Sequence, residues 1–209
     1  MGDHLNVENP DFVTQDLQDT AAQQQRAGAY ALLANLLSRP PTANVLTQIG
    51  LFTSGQDTSD DFGLALASLG LAVQAARAED IEDEFHVLFI GMGRGELMPY
   101  GSWYQTGFLM EKPLSLLRDD LQRLGYARDE SDCEPEDNAA TLCEVMAVLI
   151  TEQHSFSTQV DFFNAHLAPW LGRFFEDLQA SETAVFYKTV GRLGAAFLNL
   201  EQQYLSLPA

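Results

Sequence analysis

Positive charge is scarce in this chain of 209 residues: 11 lysines and arginines stand against 30 aspartates and glutamates, a formal net charge of −19. That imbalance excludes a long phosphate-backbone interface, because nucleic-acid binding needs clustered Lys and Arg. The same field attracts a cationic ligand or peptide and speeds its encounter, although many acidic proteins carry such charge for solubility alone. Long hydrophobic runs are also missing. The apolar stretches fall short of the roughly 20 residues needed to cross a bilayer, so a soluble chain without membrane insertion is expected. Met1 to Gln25 has neither the basic start nor the apolar core of a secretory signal, which points to the cytoplasm. Cysteine is limited to Cys133 and Cys143. Two cysteines make neither a disulfide framework nor a complete zinc site, and both read as thiols.

Catalytic patterns are absent as well. The four histidines, His4, His86, His154 and His166, form no His-Glu-x-x-His or Glu-x-x-His pair, and no Gly-x-Ser-x-Gly occurs. Gly91-Met92-Gly93-Arg94-Gly95 follows an apolar run, but its spacing fits neither a dinucleotide turn nor a P-loop. No catalytic residue, metal or cofactor is therefore expected, and the chain reads as a binding protein rather than an enzyme.

What is present is a helical core. With 46% apolar and 10% aromatic residues the chain is long enough to bury a substantial interior as one domain. Residues 1–20 lack a sustained period and read as a loose lead-in; residues 21–209 read as the helical domain. From Ala22, Tyr30, Leu33, Leu36 and Leu37 make an apolar stripe that ends before Arg39-Pro40-Pro41. A short helix fits Ala43 to Leu51, and Leu64 to Ala76 marks a third. Ile81, Phe85, Leu88 and Phe89 form the next stripe, stopping at Gly91. Further helices fit Pro113 to Leu124, Pro135 to His154, Val160 to His166, Pro169 to Gln179 and Ala184 to Leu205. No alternating strand pattern or internal repeat interrupts them, so the fold class is all-α, a single-domain helical bundle.

Two segments between helices stand out. Gly91 to Trp103 holds four glycines and reads as an irregular loop or hinge, of a length more often functional than a short loop is. Within and after it, Pro99, Tyr100, Ser102, Trp103 and Tyr104 offer aromatic walls for an apolar peptide side chain. The second segment, Asp129 to Asp137, is acidic at six of nine positions. Helix-start acids are stabilised by the dipole at about 0.3 to 1 kcal/mol each, which accounts for two or three. The remainder form an anionic rim suited to a guanidinium partner, with Glu134, Glu136, Asp137 and Asn138 as candidate contacts.

Three ordered stretches give the chain a resemblance. They are Tyr30-x-x-Leu33-x-x-Leu36-Leu37-x-x-Pro40; Glu84-Phe85-x-x-Leu88-Phe89-x-Gly91 followed by Pro99-Tyr100-x-Ser102-x-Tyr104; and Glu134-Pro135-Glu136-Asp137-Asn138 opening a helix. Together they resemble the TorD/DmsD/NarJ family of cytoplasmic chaperones for molybdenum-containing redox enzymes, over about residues 26 to 205. The resemblance implies an all-helical bundle that binds the twin-arginine leader of a partner enzyme's precursor and holds the apoprotein until its molybdopterin cofactor is inserted. It also implies that Pro99, Tyr100 and Asp137 contact that leader. Asn138 stands where the family commonly has His, which replaces a titratable ring by a neutral amide.

Two other classes stay open on sequence alone. One is a helical enzyme using paired carboxylates on a metal or small substrate; the other is an oligomerisation or scaffold module. A hinge at 91–103 would also allow a homodimer that exchanges helices.

Overall fold

A computed structural model of the chain describes residues 10–53, 58–91, 93–127 and 134–207, with side chains from Thr20 onward. Cys133 and the first part of the acidic run, residues 129–133, lie outside the described residues. Ten α-helices occur among those described: α1 (Pro10–Ser38), α2 (Ala43–Gly50), α3 (Asp61–Ala75), α4 (Ala78–Phe85), α5 (Gly101–Thr106), α6 (Lys112–Arg123), α7 (Ala139–Thr151), α8 (Phe156–Phe162), α9 (Leu171–Ala180) and α10 (Phe186–Leu205). No strand accompanies them among the described residues, so the fold is all-α.

Helix α1 begins at Pro10, well ahead of the apolar stripe, so the expected loose lead-in over 1–20 is helical from Pro10 onward. Proline suits a first helical turn, and the alanines and glutamines that follow propagate a helix without needing an apolar period. The stripe itself does what its spacing predicts: Tyr30, Leu33, Leu36 and Leu37 are buried. They face Leu142, Cys143, Met146 and Leu149 of α7, which lies along α1. The second layer is α9 and α10, where Phe174, Phe175, Tyr187, Val190 and Phe197 are fully buried and α3 closes over α10.

Two long-range polar anchors hold these layers. The Glu84 carboxylate at the end of α4 accepts the backbone N–H groups of Val185, Phe186 and Tyr187 at 2.8, 3.0 and 2.7 Å. These are orphan donors at the start of α10, whose preceding residue supplies no side-chain cap. Deeper in, Arg26 of α1 forms a two-toothed pair with Glu201 of α10 at 2.7 and 2.6 Å. Gln159 of α8 accepts from the same guanidinium at 2.9 Å and the Tyr30 hydroxyl donates to Glu201 at 3.2 Å. Burial raises the Tyr30 hydroxyl well above its ordinary pKa, and the charge of Glu201 adds to this, so it stays a donor.

The expected loop from Gly91 to Trp103 is shorter than its composition suggests. Helix α4 runs on as a π turn over His86–Ile90 and stops at Gly91, whose φ of +60° a residue with a Cβ rarely adopts. The chain then folds back, Leu97 N–H donating to the Leu88 carbonyl at 2.8 Å, and α5 starts at Gly101. Ser102, Trp103 and Tyr104 are therefore helical residues, not loop residues. The helix expected from Pro135 likewise starts later, at Ala139. Pro135 to Asp137 make a turn instead, because Asn138 adopts extended backbone and its Oδ1 accepts the Ala140 N–H at 2.8 Å, the geometry of an N-cap.

Candidate functional site

The two segments singled out in the sequence meet in space. Tyr100 and Asn138 pair in an isolated antiparallel bridge. Its hydrogen bonds run from Ala139 N–H to the Pro99 carbonyl and from Gly101 N–H to the Asp137 carbonyl, both at 2.8 Å. Gly101 suits the close packing there: a Cβ would stand 3.0 Å from the Trp170 indole nitrogen, tighter than ordinary van der Waals contact. The bridge fixes the start of α5 against the start of α7 and brings Tyr100 beside Glu134.

At that junction the Tyr100 hydroxyl donates to Glu134 Oε1 at 2.5 Å, and the Asn138 amide donates to the same oxygen at 2.9 Å. Tyr100 is raised far above the usual tyrosine pKa, chiefly by burial and then by its bond to Glu134, so its proton stays in place. Asn138 thus serves twice, capping α7 with its oxygen and holding Glu134 with its nitrogen.

Asp137 does something other than its position in sequence suggests. It does not cap α7, the helix it precedes. Its side chain is only 2% exposed, and Oδ2 accepts the Ser102 backbone N–H at 2.6 Å, capping α5 from across the fold. Asp137 Oδ1 and Ser102 Oγ are buried and have no hydrogen-bond partner among the described residues. The carboxylate is turned into the fold rather than onto the surface.

The other sequence candidates scatter. Glu136 accepts two bonds from Arg118 of α6, at 3.0 and 2.8 Å, and so ties α6 to the turn before α7. The Arg94 guanidinium covers the Trp103 ring at 4.4 Å. Tyr104 packs on Trp170 and Phe174 and donates to Asp177 at 2.9 Å, on the α9 side. Pro99, Tyr100, Glu134 and Asn138 come together on one cavity wall; Ser102, Trp103, Tyr104, Glu136 and Asp137 do not line it.

That cavity is a trough of about 980 Å³ between α1 and α7. Its walls are one face of each helix: Ala27, Gly28, Ala31 and Ala34 from α1, with Ala140, Thr141, Ala147 and Val148 from α7. Phe89, Ile90, Pro99 and Tyr100 make an apolar lip at one end, where Glu134 and Asn138 also sit. Glu144, one turn along α7, is exposed and has no ion-pair partner among the described residues; Arg39 is the trough's one guanidinium among them. A second hollow of about 410 Å³ continues from the first, sharing Gln24, Ala27 and Thr151 and adding Gln23, Gln153 and Gln159. The trough therefore has an acidic, aromatic mouth, a small-residue floor and an amide-rich far end. Sequence reasoning missed the floor, Glu144 and Arg39. The alanines at i, i+4 and i+7 of α1 were the available signal, but small residues at helical spacing mark packing as readily as a groove.

Among the described residues no three His, Cys, Asp or Glu side chains converge as a metal site, and no helix is long and apolar enough to cross a membrane. The fold and its trough define a class: an all-helical protein built around an open apolar groove with carboxylates at one end. The sequence model of the nitrate reductase delta subunit matches residues 56–176, more than half of the chain. The chain belongs to that family, the TorD/DmsD/NarJ family of redox-enzyme maturation chaperones.

Individual relatives agree. Chaperone protein TorD of Aliivibrio fischeri is 28% identical over 210 residues, covering 90% of this chain and 97% of the relative. Chaperone protein TorD of Vibrio atlanticus is 26% identical over 213 residues, covering 91% and 99%. The crystal structure of a redox enzyme maturation protein from Archaeoglobus fulgidus superposes with a TM-score of 0.54, covering 82% of this chain and 93% of that one. At 20% identity that likeness is one of fold.

Proposed function

We propose that this chain is a cytoplasmic chaperone that binds the twin-arginine leader of a molybdopterin-dependent oxidoreductase precursor and holds the apoprotein for cofactor insertion before export. The single observation that carries the reading is the α1–α7 trough, with an acidic mouth at Glu134 and Glu144 and an apolar lip at Phe89, Ile90, Pro99 and Tyr100. Guanidinium groups pair with carboxylates through charge-assisted bonds, and the apolar part of the leader displaces water from the alanine floor. Apolar burial contributes roughly 25 cal/mol per Å² before the cost of ordering the peptide. The net charge of −19 steers a cationic peptide towards the mouth. Asp137 contributes by fixing the bridge that presents Tyr100, and Glu134 with Glu144 make the direct contacts.

The test is calorimetric titration of the purified chain with a synthetic twin-arginine leader, beside the same peptide with both arginines changed to alanine. Saturable binding that weakens at least tenfold in the alanine peptide supports the reading. Equal binding of the two peptides, or none of either, sinks it. Capture of a molybdoenzyme precursor that retains its leader from native cytoplasm extends the result to the client.

A further inference from the structure

Charge is missing from one corner of the molecule. No charged side chain occurs from Pro40 to Gln56 or from Phe62 to Ala76, in a chain that is 20% charged. The described parts of these stretches fold together: α2 and the turn Leu51–Thr53 that follows it pack against α3. Gln74 of α3 fastens them, its amide donating to the Gly50 carbonyl at 3.0 Å and to Thr53 Oγ1 at 3.2 Å. On the outside of this corner Leu51, Leu64 and Leu71 are 70%, 50% and 59% exposed. Leu64 and Leu71 lie two turns apart on one face of α3, and the Gln74 bonds bring the turn that carries Leu51 to the Leu71 end. The opposite face of α3 buries Ala65 and Leu69. A helix apolar on both faces is the kind that is covered on both.

The polar side chains of this corner are a second, independent observation. Ser68, between the two exposed leucines of α3, donates its hydroxyl to the Leu64 carbonyl at 2.8 Å, and Thr53 donates to the Gly50 carbonyl at 3.3 Å. With the Gln74 amide, these donors are satisfied within the corner itself, so covering the face strands none of them. We infer that this face joins two copies of the chain in a symmetric dimer, independently of the leader-binding reading. Charge selects that occupant. A partner of other composition could meet the acidic surface with lysine and arginine, but a second copy carries the same −19 and is repelled across most of its surface. The two-fold axis then sets α3 of one copy against α3 of the other. Helix α3 has 15 residues and is about 22 Å long. With the neighbouring turn it offers roughly 400 Å² per copy, below the ~800 Å² of a standard interface, so the dimer is weak and reversible. Among the described residues none of α2 or α3 lines the trough, so each copy keeps its trough open.

The experiment is sedimentation equilibrium of the whole chain from about 1 µM to about 1 mM, at low and high sodium chloride, for wild type, Leu64→Glu, Leu71→Glu and Phe108→Ser. Wild type is expected to form a reversible dimer whose Kd falls at least threefold as salt screens the like charges. Each glutamate variant is expected to weaken it tenfold or more. Phe108→Ser, which removes an equally exposed apolar side chain elsewhere, is expected to leave it unchanged. Leucine and glutamate are both good helix formers, so the urea midpoints of the glutamate variants should stay near that of wild type, and leader affinity should be unaltered. A wild-type monomer at every concentration, a dimer that salt weakens, or a dimer indifferent to both glutamates, as one made by helix exchange would be, overturns the inference. So does wild-type flotation with neutral phosphatidylcholine vesicles in place of self-association. The leader-binding reading survives each of these outcomes.

Discussion

The Asp137 carboxylate accepts the Ser102 backbone N–H at 2.6 Å, so the residue before the Asn138 cap of α7 closes the first turn of α5, 35 residues earlier in the chain. Together with the Tyr100–Asn138 bridge, this bond holds the aromatic lip of the trough against its acidic mouth.

Removing the acceptor should therefore cost stability first. Asp137→Ala leaves the Ser102 N–H buried without a partner and is expected to destabilise the fold by about 1–3 kcal/mol, read as a lower urea midpoint at unchanged slope. Asp137→Asn keeps an oxygen at the same place and is expected to lose about 1 kcal/mol or less. Unchanged stability in both variants with loss of leader binding would instead make Asp137 a direct contact.

The buried Arg26–Glu201 pair offers a sharper contrast. Glu201→Ala strands a guanidinium that is 5% exposed as a residue, and an uncompensated buried charge costs about 3–5 kcal/mol. Replacing both partners, as Arg26→Met with Glu201→Leu, should restore most of that loss. A full double-mutant cycle by denaturant titration checks it. Additive losses would mean that the pair is not coupled.

At the mouth, Glu144 and Arg39 act on a cationic leader with opposite sign. Glu144→Gln should weaken leader binding and Arg39→Gln should strengthen it, each by about 0.2–1 kcal/mol because both groups are exposed. Both effects should shrink between ionic strengths of about 0.01 M and about 1 M, as the Debye length contracts. Calorimetry at the two salt levels separates this from a packing effect, which salt would not remove.

His166 supplies the pH dependence. Burial holds its imidazole below the usual histidine pKa, an effect that outweighs its bond to Asp120 at 2.7 Å. The unfolded chain then takes up the proton first. Stability should fall as pH drops below about 6.5, the unfolded value, until the folded value is passed. In His166→Gln the corresponding part of the slope should be absent. Identical slopes in the two proteins across that window would exclude His166 as the source.

Much of the fold was legible because burial follows helical period. The stripe at Tyr30, Leu33, Leu36 and Leu37 is buried as its spacing predicts, and Leu142, Cys143, Met146 and Leu149 mark the inner face of α7. Helix ends were less legible. The start of α1 at Pro10 carries no apolar period, and the start of α7 was decided by Asn138 rather than by Pro135.

The site divides along the same line. Sequence by itself determined the helical class and the excess of negative charge, and it singled out the two segments that the fold joins at the Tyr100–Asn138 bridge, since residue type and local period carry that information. Tertiary structure alone decided that Tyr100 pairs with Asn138, that Asp137 turns inward to cap α5, and that Glu144 and Gly28 share one trough with Glu134. The physical reason is that a carboxylate near a helix start has the same local signal whether it caps its own helix, a distant one, or a ligand. Which it does depends on the donor that packing delivers to it.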